Sequence, residues 1–255
     1  MTKSKFKGLL IDLEGVVYEE GKPILGSVEF IQFLNKINFP YLFLTNTTTM
    51  PRKHIQKRLQ SLGVSVDEKK ILTPLIACNN YLLQKKVKRI ALFCDQSCYK
   101  DFQNFQLDFQ NPEAVIIGDL YKKFTWSKIN EIFLLSLRAK HLLAFHKNKT
   151  GKRNNQFGID LGPFVAGLEY ALDRKFELLG KPSKNFFKAG MSLLKISSTQ
   201  LLMVGDDVIV DILGAQKMQL QTCLVKTGKY NKQNLNGRIK PDILINRLSL
   251  LKKSL

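Results

Sequence analysis

The chain has 255 residues, 44% of them hydrophobic, with 40 basic against 21 acidic side chains and a net charge of +19. That length can bury a substantial core in one elaborated domain or two smaller ones, and the apolar fraction excludes a disordered chain. No apolar run reaches the roughly 20 residues that span a bilayer, and MTKSKFKGLLID has too short an apolar run for a secretory signal, so a cytoplasmic protein with no membrane partner is expected.

The first predicted element is the apolar run Gly8 to Ile11, a strand covered on both faces. Asp12 follows at its carboxyl end, where open α/β sheets place their ligands, and Glu14 lies two residues on, on the same side of an extended backbone. Gly15 then permits a sharp turn. The spacing of Val28, Ile31 and Leu34 predicts a helix over Ser27 to Asn38, and Tyr41 to Thr45 reads as the next strand. Pro51 suits a first helical turn before the stripe Ile55, Leu59, Leu62, which stops at Gly63. Thr73 and Pro74 form a cap and first-turn pair.

A second α/β series follows. Arg89 to Cys94, Ala114 to Gly118 and His141 to Phe145 are strand candidates; Thr125 caps a helix running to about Arg138, and Gly162–Pro163 open another through Leu172. The chain then returns to strands at Phe176 to Gly180, Gln200 to Gly205 and Gln221 to Val225. Alternation of this kind predicts a mainly parallel sheet covered by helices.

Only eight of the basic residues are Arg, and the lysines are spread along the chain, densest at Lys85–Arg89 and His146–Arg153. A Lys-rich surface fits this better than specific nucleic-acid binding, since Arg is the better bidentate phosphate reader. Cys78, Cys94, Cys98 and Cys223 lack metal-finger spacing, and three histidines give no zinc set. Reduced, buried thiols are expected.

Four predicted strand ends carry chemistry: Asp12 with Glu14, Thr45 with Asn46, Lys181, and Asp206 with Asp207, followed one helical turn later by Asp211. In a parallel sheet these ends share one edge. Asp12 and Asp206 would supply hard oxygens for Mg²⁺. Thr45, Asn46 and Lys181 can donate to phosphate oxygens, and a carboxylate can attack phosphorus.

At DLEGVVY, TN (Thr45–Asn46), GKPS (Gly180–Ser183) and GDDVIVD (Gly205–Asp211) the chain resembles the haloacid dehalogenase-like hydrolase superfamily, from about Gly8 to Tyr230. TNTT, LGPFVAGLEYA, GKPSKNFF and LVKTGKY resemble its subfamily with a large α/β (C2-type) cap. The resemblance implies a Rossmann-like core with helices on both faces, residues 1–74 and 176–255, and an inserted α/β cap, 75–175, that closes over substrate. It further implies Mg²⁺-dependent hydrolysis of a small phosphorylated substrate (a phosphomonoester, phosphoamino acid or pyrophosphate), with Asp12 as nucleophile and Thr45 and Asn46 on the phosphate. Lys181 neutralises charge; Asp12, Asp206 and the Glu14 carbonyl hold the metal, with Asp207 and Asp211 supporting it. Basic residues of His146 to Asp160 become candidate substrate contacts, and the cap a candidate homodimer surface. Members of the family usually carry Asp where Glu14 stands, as general acid and base. A catalytically weak protein that binds a phosphorylated ligand or a protein partner is therefore the alternative expectation.

Overall fold

The computed structural model describes residues 6–153, 156–232, 235 and 239–255. The chain divides into two compact units: Met1–Thr45 with Arg52–Leu72 and Lys181–Leu255, and Asn46–Pro51 with Thr73–Gly180.

The first unit is built on a six-stranded parallel sheet. Its spatial order is Ile243–Ile245, Gln221–Val225, Leu201–Gly205, Gly8–Ile11, Tyr41–Leu44, Ile71–Leu72. Gly8–Ile11 and Tyr41–Leu44 are buried at every residue, which is why they read as unbroken apolar runs. The helix expected to reach Asn38 ends at Lys36, because Asn38 takes a left-handed conformation (φ 51°) that closes the last turn. Pro51 precedes helix Arg52–Ser61, which buries Ile55 and Leu59. Helix Lys184–Leu194 turns Phe186, Phe187 and Gly190 inward, and a Cβ on Gly190 would stand 3.2 Å from Leu44.

The second unit has its own parallel sheet, ordered Glu177–Leu178, His141–Ala144, Ala114–Ile117, Arg89–Phe93, Gln106–Leu107. Thr73 caps helix Pro74–Gln84 by accepting from the Ile76 N–H, and Thr125 caps Trp126–Arg138 by accepting from Lys128. Helix Leu161–Leu172 begins one residue before Gly162, where Asp160 accepts from the Leu161 N–H. Strands Thr150–Arg153 and Gln156–Ile159 pair as a hairpin.

One expected strand changes sheets. Phe176 to Gly180 narrows to Glu177–Leu178 and pairs with His141–Ala144, so the return to the first unit falls at Gly180/Lys181 and not at 175/176. A short apolar run carries no mark of which sheet it joins; tertiary pairing decides that. The two-residue strands Ile71–Leu72 and Gln106–Leu107, and the edge strand Ile243–Ile245, are too short or too exposed for periodicity to reveal. All four cysteines are buried and unbridged. Among the described residues no helix is long and apolar enough to cross a membrane.

Candidate active site

In the first sheet the chain runs outward from the central strand Gly8–Ile11 to Tyr41–Leu44 on one side, and later to Leu201–Gly205 on the other. The strand order reverses between Gly8–Ile11 and Leu201–Gly205, the position at which open parallel sheets form ligand crevices. Ile11 is in register with Phe43 and with Val204. Asp12, Thr45 and Asp206 therefore leave three neighbouring strands at one edge.

Lys181 reaches this edge through the turn before helix Lys184–Leu194, whose apolar face anchors it. Its ammonium is buried and lies 2.7 Å from Asp12 Oδ1 and 2.7 Å from Asp211 Oδ1. Burial alone would lower its pKa, but the carboxylates of Asp12 and Asp211 outweigh this and raise it, so the lysine stays charged. Asp12 Oδ1 also accepts from the Leu13 N–H at 2.8 Å. Two donors thus converge on one oxygen of Asp12.

Asp206 is wedged between two glycines in left-handed conformations, Gly15 (φ 81°) and Gly228 (φ 59°). A Cβ on either would stand 2.1 Å from Asp206 Oδ2, so no other residue fits without displacing the carboxylate. The same oxygen accepts from the Lys229 N–H at 2.6 Å, and the Thr227 hydroxyl donates to the Gly15 carbonyl. The loop after Gln221–Val225 therefore clamps the loop after Asp12. Sequence patterning gives Gly15 only a sharp turn, and Thr227, Gly228 and Lys229 only their place in LVKTGKY, with no sign that the two loops meet at Asp206.

Asp207 and Asp211 part company. Asp207 turns its carboxylate onto the N–H groups of Ile209 and Val210, 2.9 Å from each, and lies 3.8 Å from Lys229 Nζ. It caps the widened π-type turn Val208–Leu213, in which the Ile212 N–H reaches back to the Asp207 carbonyl. That turn brings the wholly buried Asp211 against Gly205, where a Cβ would be 2.3 Å away. One oxygen each from Asp12, Asp206 and Asp211 lie within 4.8 Å of one another, the only group of this kind among the described residues.

Three carboxylates face one ammonium here, an excess of two negative charges when all are ionised. Burial, then Asp12 and Asp211, pushes the Asp206 carboxyl up to about 8. Burial, opposed by Lys181 and reinforced by Asp12, pushes Asp211 up to about 7. Groups that must otherwise take up protons fit a divalent cation, and an all-oxygen set fits a hard one.

Glu14 is exposed, and its Oε1 accepts from the Glu20 N–H at 3.1 Å, toward the hairpin Tyr18–Glu19/Lys22–Pro23. Desolvation raises its pKa, against the Glu20 N–H and Arg58, which lower it. Thr45 is buried, its N–H donating to the Leu72 carbonyl. Asn46 is the first residue of the second unit, where its Oδ1 stands 2.6 Å from the Cβ position of Gly180. In the basic segment His146 to Asp160, His146 is buried and Lys147 pairs with the buried carboxylate of Glu169. The side chains from Lys152 to Phe157 lie outside the described residues.

Family models match two stretches of the chain: a haloacid dehalogenase-like hydrolase model over residues 9–108 and a HAD-hydrolase-like model over 178–251. Haloacid dehalogenase-like hydrolase domain-containing protein 2 of Bos taurus is 35% identical over 229 residues, 90% of this chain and 87% of the relative. Phospholysine phosphohistidine inorganic pyrophosphate phosphatase of Homo sapiens is 31% identical over 88% of this chain and 84% of its own. A p-nitrophenyl phosphatase structure from Archaeoglobus fulgidus superposes with a TM-score of 0.91 over 98% of this chain and 100% of that one; at 22% identity this is a likeness of fold.

Proposed function

This chain belongs to the haloacid dehalogenase-like hydrolase family, and we propose that it is a Mg²⁺-dependent phosphatase that transfers the phosphoryl group of a small substrate to Asp12 and then to water. The observation that carries this reading is the buried Lys181 ammonium held between Asp12 and Asp211 beside Asp206, at the reversal of the strand order. Relatives bearing phosphatase names support the same reaction class.

Mg²⁺, when bound, would offset the repulsion between an anionic nucleophile and an anionic phosphoryl group. Asp12, Asp206 and the Glu14 carbonyl would hold it, with Asp211 and Asp207 fixing the surrounding shell. Lys181 and the Leu13 N–H hold Asp12 Oδ1, which leaves Oδ2 to attack phosphorus. The P–O bond to the leaving group breaks as the Asp12–phosphorus bond forms. Thr45 and Asn46 donate to phosphate oxygens, and the charge of Lys181 opposes the negative charge gathering there. Glu14, its pKa raised, gives a proton to the leaving oxygen and later takes one from the water that cleaves the aspartyl-phosphate.

Substrate choice among phosphomonoesters, phosphoamino acids and pyrophosphate is assigned to the second unit as cap. Self-association through that unit's exposed apolar helices completes the reading. The four unbridged cysteines favour a reducing, cytoplasmic compartment.

A second reading, a phosphoryl-ligand binder with little turnover, is favoured by the hydrogen bond that draws the Glu14 carboxylate toward Glu20. The decisive experiment measures hydrolysis of p-nitrophenyl phosphate with Mg²⁺. Turnover that disappears in Asp12→Asn is expected, and turnover surviving that substitution overturns the mechanism.

A further inference from the structure

The second unit's sheet has a strand-order reversal of its own. From Arg89–Phe93 the chain goes to Gln106–Leu107 on one side, then to Ala114–Ile117 on the other. Outside the carboxyl ends of Arg89–Phe93 and Ala114–Ile117 lies a cavity of about 300 Å³, and every residue lining it belongs to this unit. That volume is at the lower end of small-molecule pockets, enough for a compact planar ligand.

Its lining combines three aromatic rings, Phe93, Tyr99 and Phe109, with two lysines and one glutamate. Phe93 and Phe109 meet edge to face with centroids 5.5 Å apart, and Tyr99 stands beside them, anchored by a 2.7 Å hydrogen bond from its hydroxyl to the Leu92 carbonyl. Phe109 is 43% exposed, so part of its ring is open to a ligand. Lys128 Nζ lies 5.7 Å from the Phe93 ring centroid and pairs with Glu131, which cancels its charge. Lys123 is exposed at the rim and makes no ion pair among the described residues. The 13-residue helix Trp126–Arg138 begins next to it and adds the positive end of its dipole.

We propose that this cavity binds a planar aromatic anion: one or two fused rings against Phe93, Tyr99 and Phe109, with a carboxylate or sulfonate-like group toward Lys123 and the helix start. A flat ring gains offset or edge contact with the aromatic walls, and the rim charge selects the anionic end. An aliphatic anion would lose the first contribution and a neutral arene the second.

The test is calorimetric titration of the full chain with naphthalene-2-sulfonate, which carries no phosphoryl group to hydrolyse. Saturable binding with Kd below ~1 mM is expected, with Lys123→Ala and Phe109→Ala each weakening it about tenfold. Asp12→Asn should leave binding unchanged, and methanesulfonate should not compete. Both pocket substitutions fall on exposed side chains, so the fold is retained. Failure to saturate, or affinity unchanged in both pocket variants, overturns the proposal. So does affinity lost in Asp12→Asn alone, which would put the probe in the catalytic cluster.

Discussion

Burial is the chief cause that pushes the carboxyls of Asp206 and Asp211 up, to about 8 and about 7. A raised folded-state pKa means the native state binds more protons than the unfolded chain between the ordinary carboxylate range and about pH 8. These groups therefore subtract stability as pH rises through that window. A cation that binds the ionised carboxylates removes the penalty, and binding releases the protons. Mg²⁺ should raise the melting temperature of chelator-treated protein much more at pH 8.5 than at pH 6.0, with Kd at least about tenfold lower at the higher pH. A thermal shift independent of pH would show that the cation does not engage these carboxylates. Glu14 poses a separate residue-scale question. In water the carboxyl groups of Glu and Asp differ by only about 0.4 in pKa, so reach, not acidity, is the difference that matters. A misplacement of about 1 Å can cost ~10²-fold in rate. Glu14→Asp should thus change kcat at least about tenfold: a fall shows a loop built around the longer side chain, a rise shows an enzyme slowed by it.

At the scale of elements, the loops that follow the strands do more for the site than the strands themselves. Asp206 is fixed because two loops distant in sequence both offer glycine, and Lys229 and Thr227 tie those loops together. In Gly228→Ala the new Cβ would meet Asp206 Oδ2 at 2.1 Å while adopting a φ of 59°. That substitution should lower stability by about 1–3 kcal/mol and weaken Mg²⁺ binding at least about tenfold, read by melting and calorimetric titration. Unaltered Mg²⁺ affinity would mean that Asp206 is not positioned by this clamp. Such loops also mark the limit of what sequence can reveal. Asp12, Thr45 and Asp206 are legible because each ends a buried apolar strand. Lys181 is legible as a residue, but the strand before it joins the other sheet and the lysine arrives from a turn anchored by Phe186 and Phe187. The separate duties of Asp207 and Asp211 depend on a π-type turn, set by one extra residue of hydrogen-bond span that no side-chain periodicity encodes.

For the whole molecule, a charge of +19 opposes contact between copies over most of the surface. One face of the second unit differs. Trp126 is 80% exposed, Tyr170 89%, and Leu134 and Leu137 54% each, on the packed helices Trp126–Arg138 and Leu161–Leu172. The groove between these helices is lined by Trp126, Ile129, Asn130, Phe133, Gly167, Leu168 and Ala171, none of them charged. Apolar surface of this kind gains roughly 25 cal/mol per Å² when covered, and long-range repulsion between two cationic chains weakens once the Debye length falls to ~3 Å at 1 M salt. A second copy seated on this face should therefore associate more tightly as salt rises, the opposite of an assembly held by ion pairs. Sedimentation should show a dimer at micromolar concentration that is reinforced by salt and broken by Trp126→Asp with Tyr170→Asp. A monomer at every salt concentration, or a dimer indifferent to the two substitutions, would assign this face no role in self-association. Hydrolysis of p-nitrophenyl phosphate by the monomeric variant would then report whether turnover depends on the partner copy.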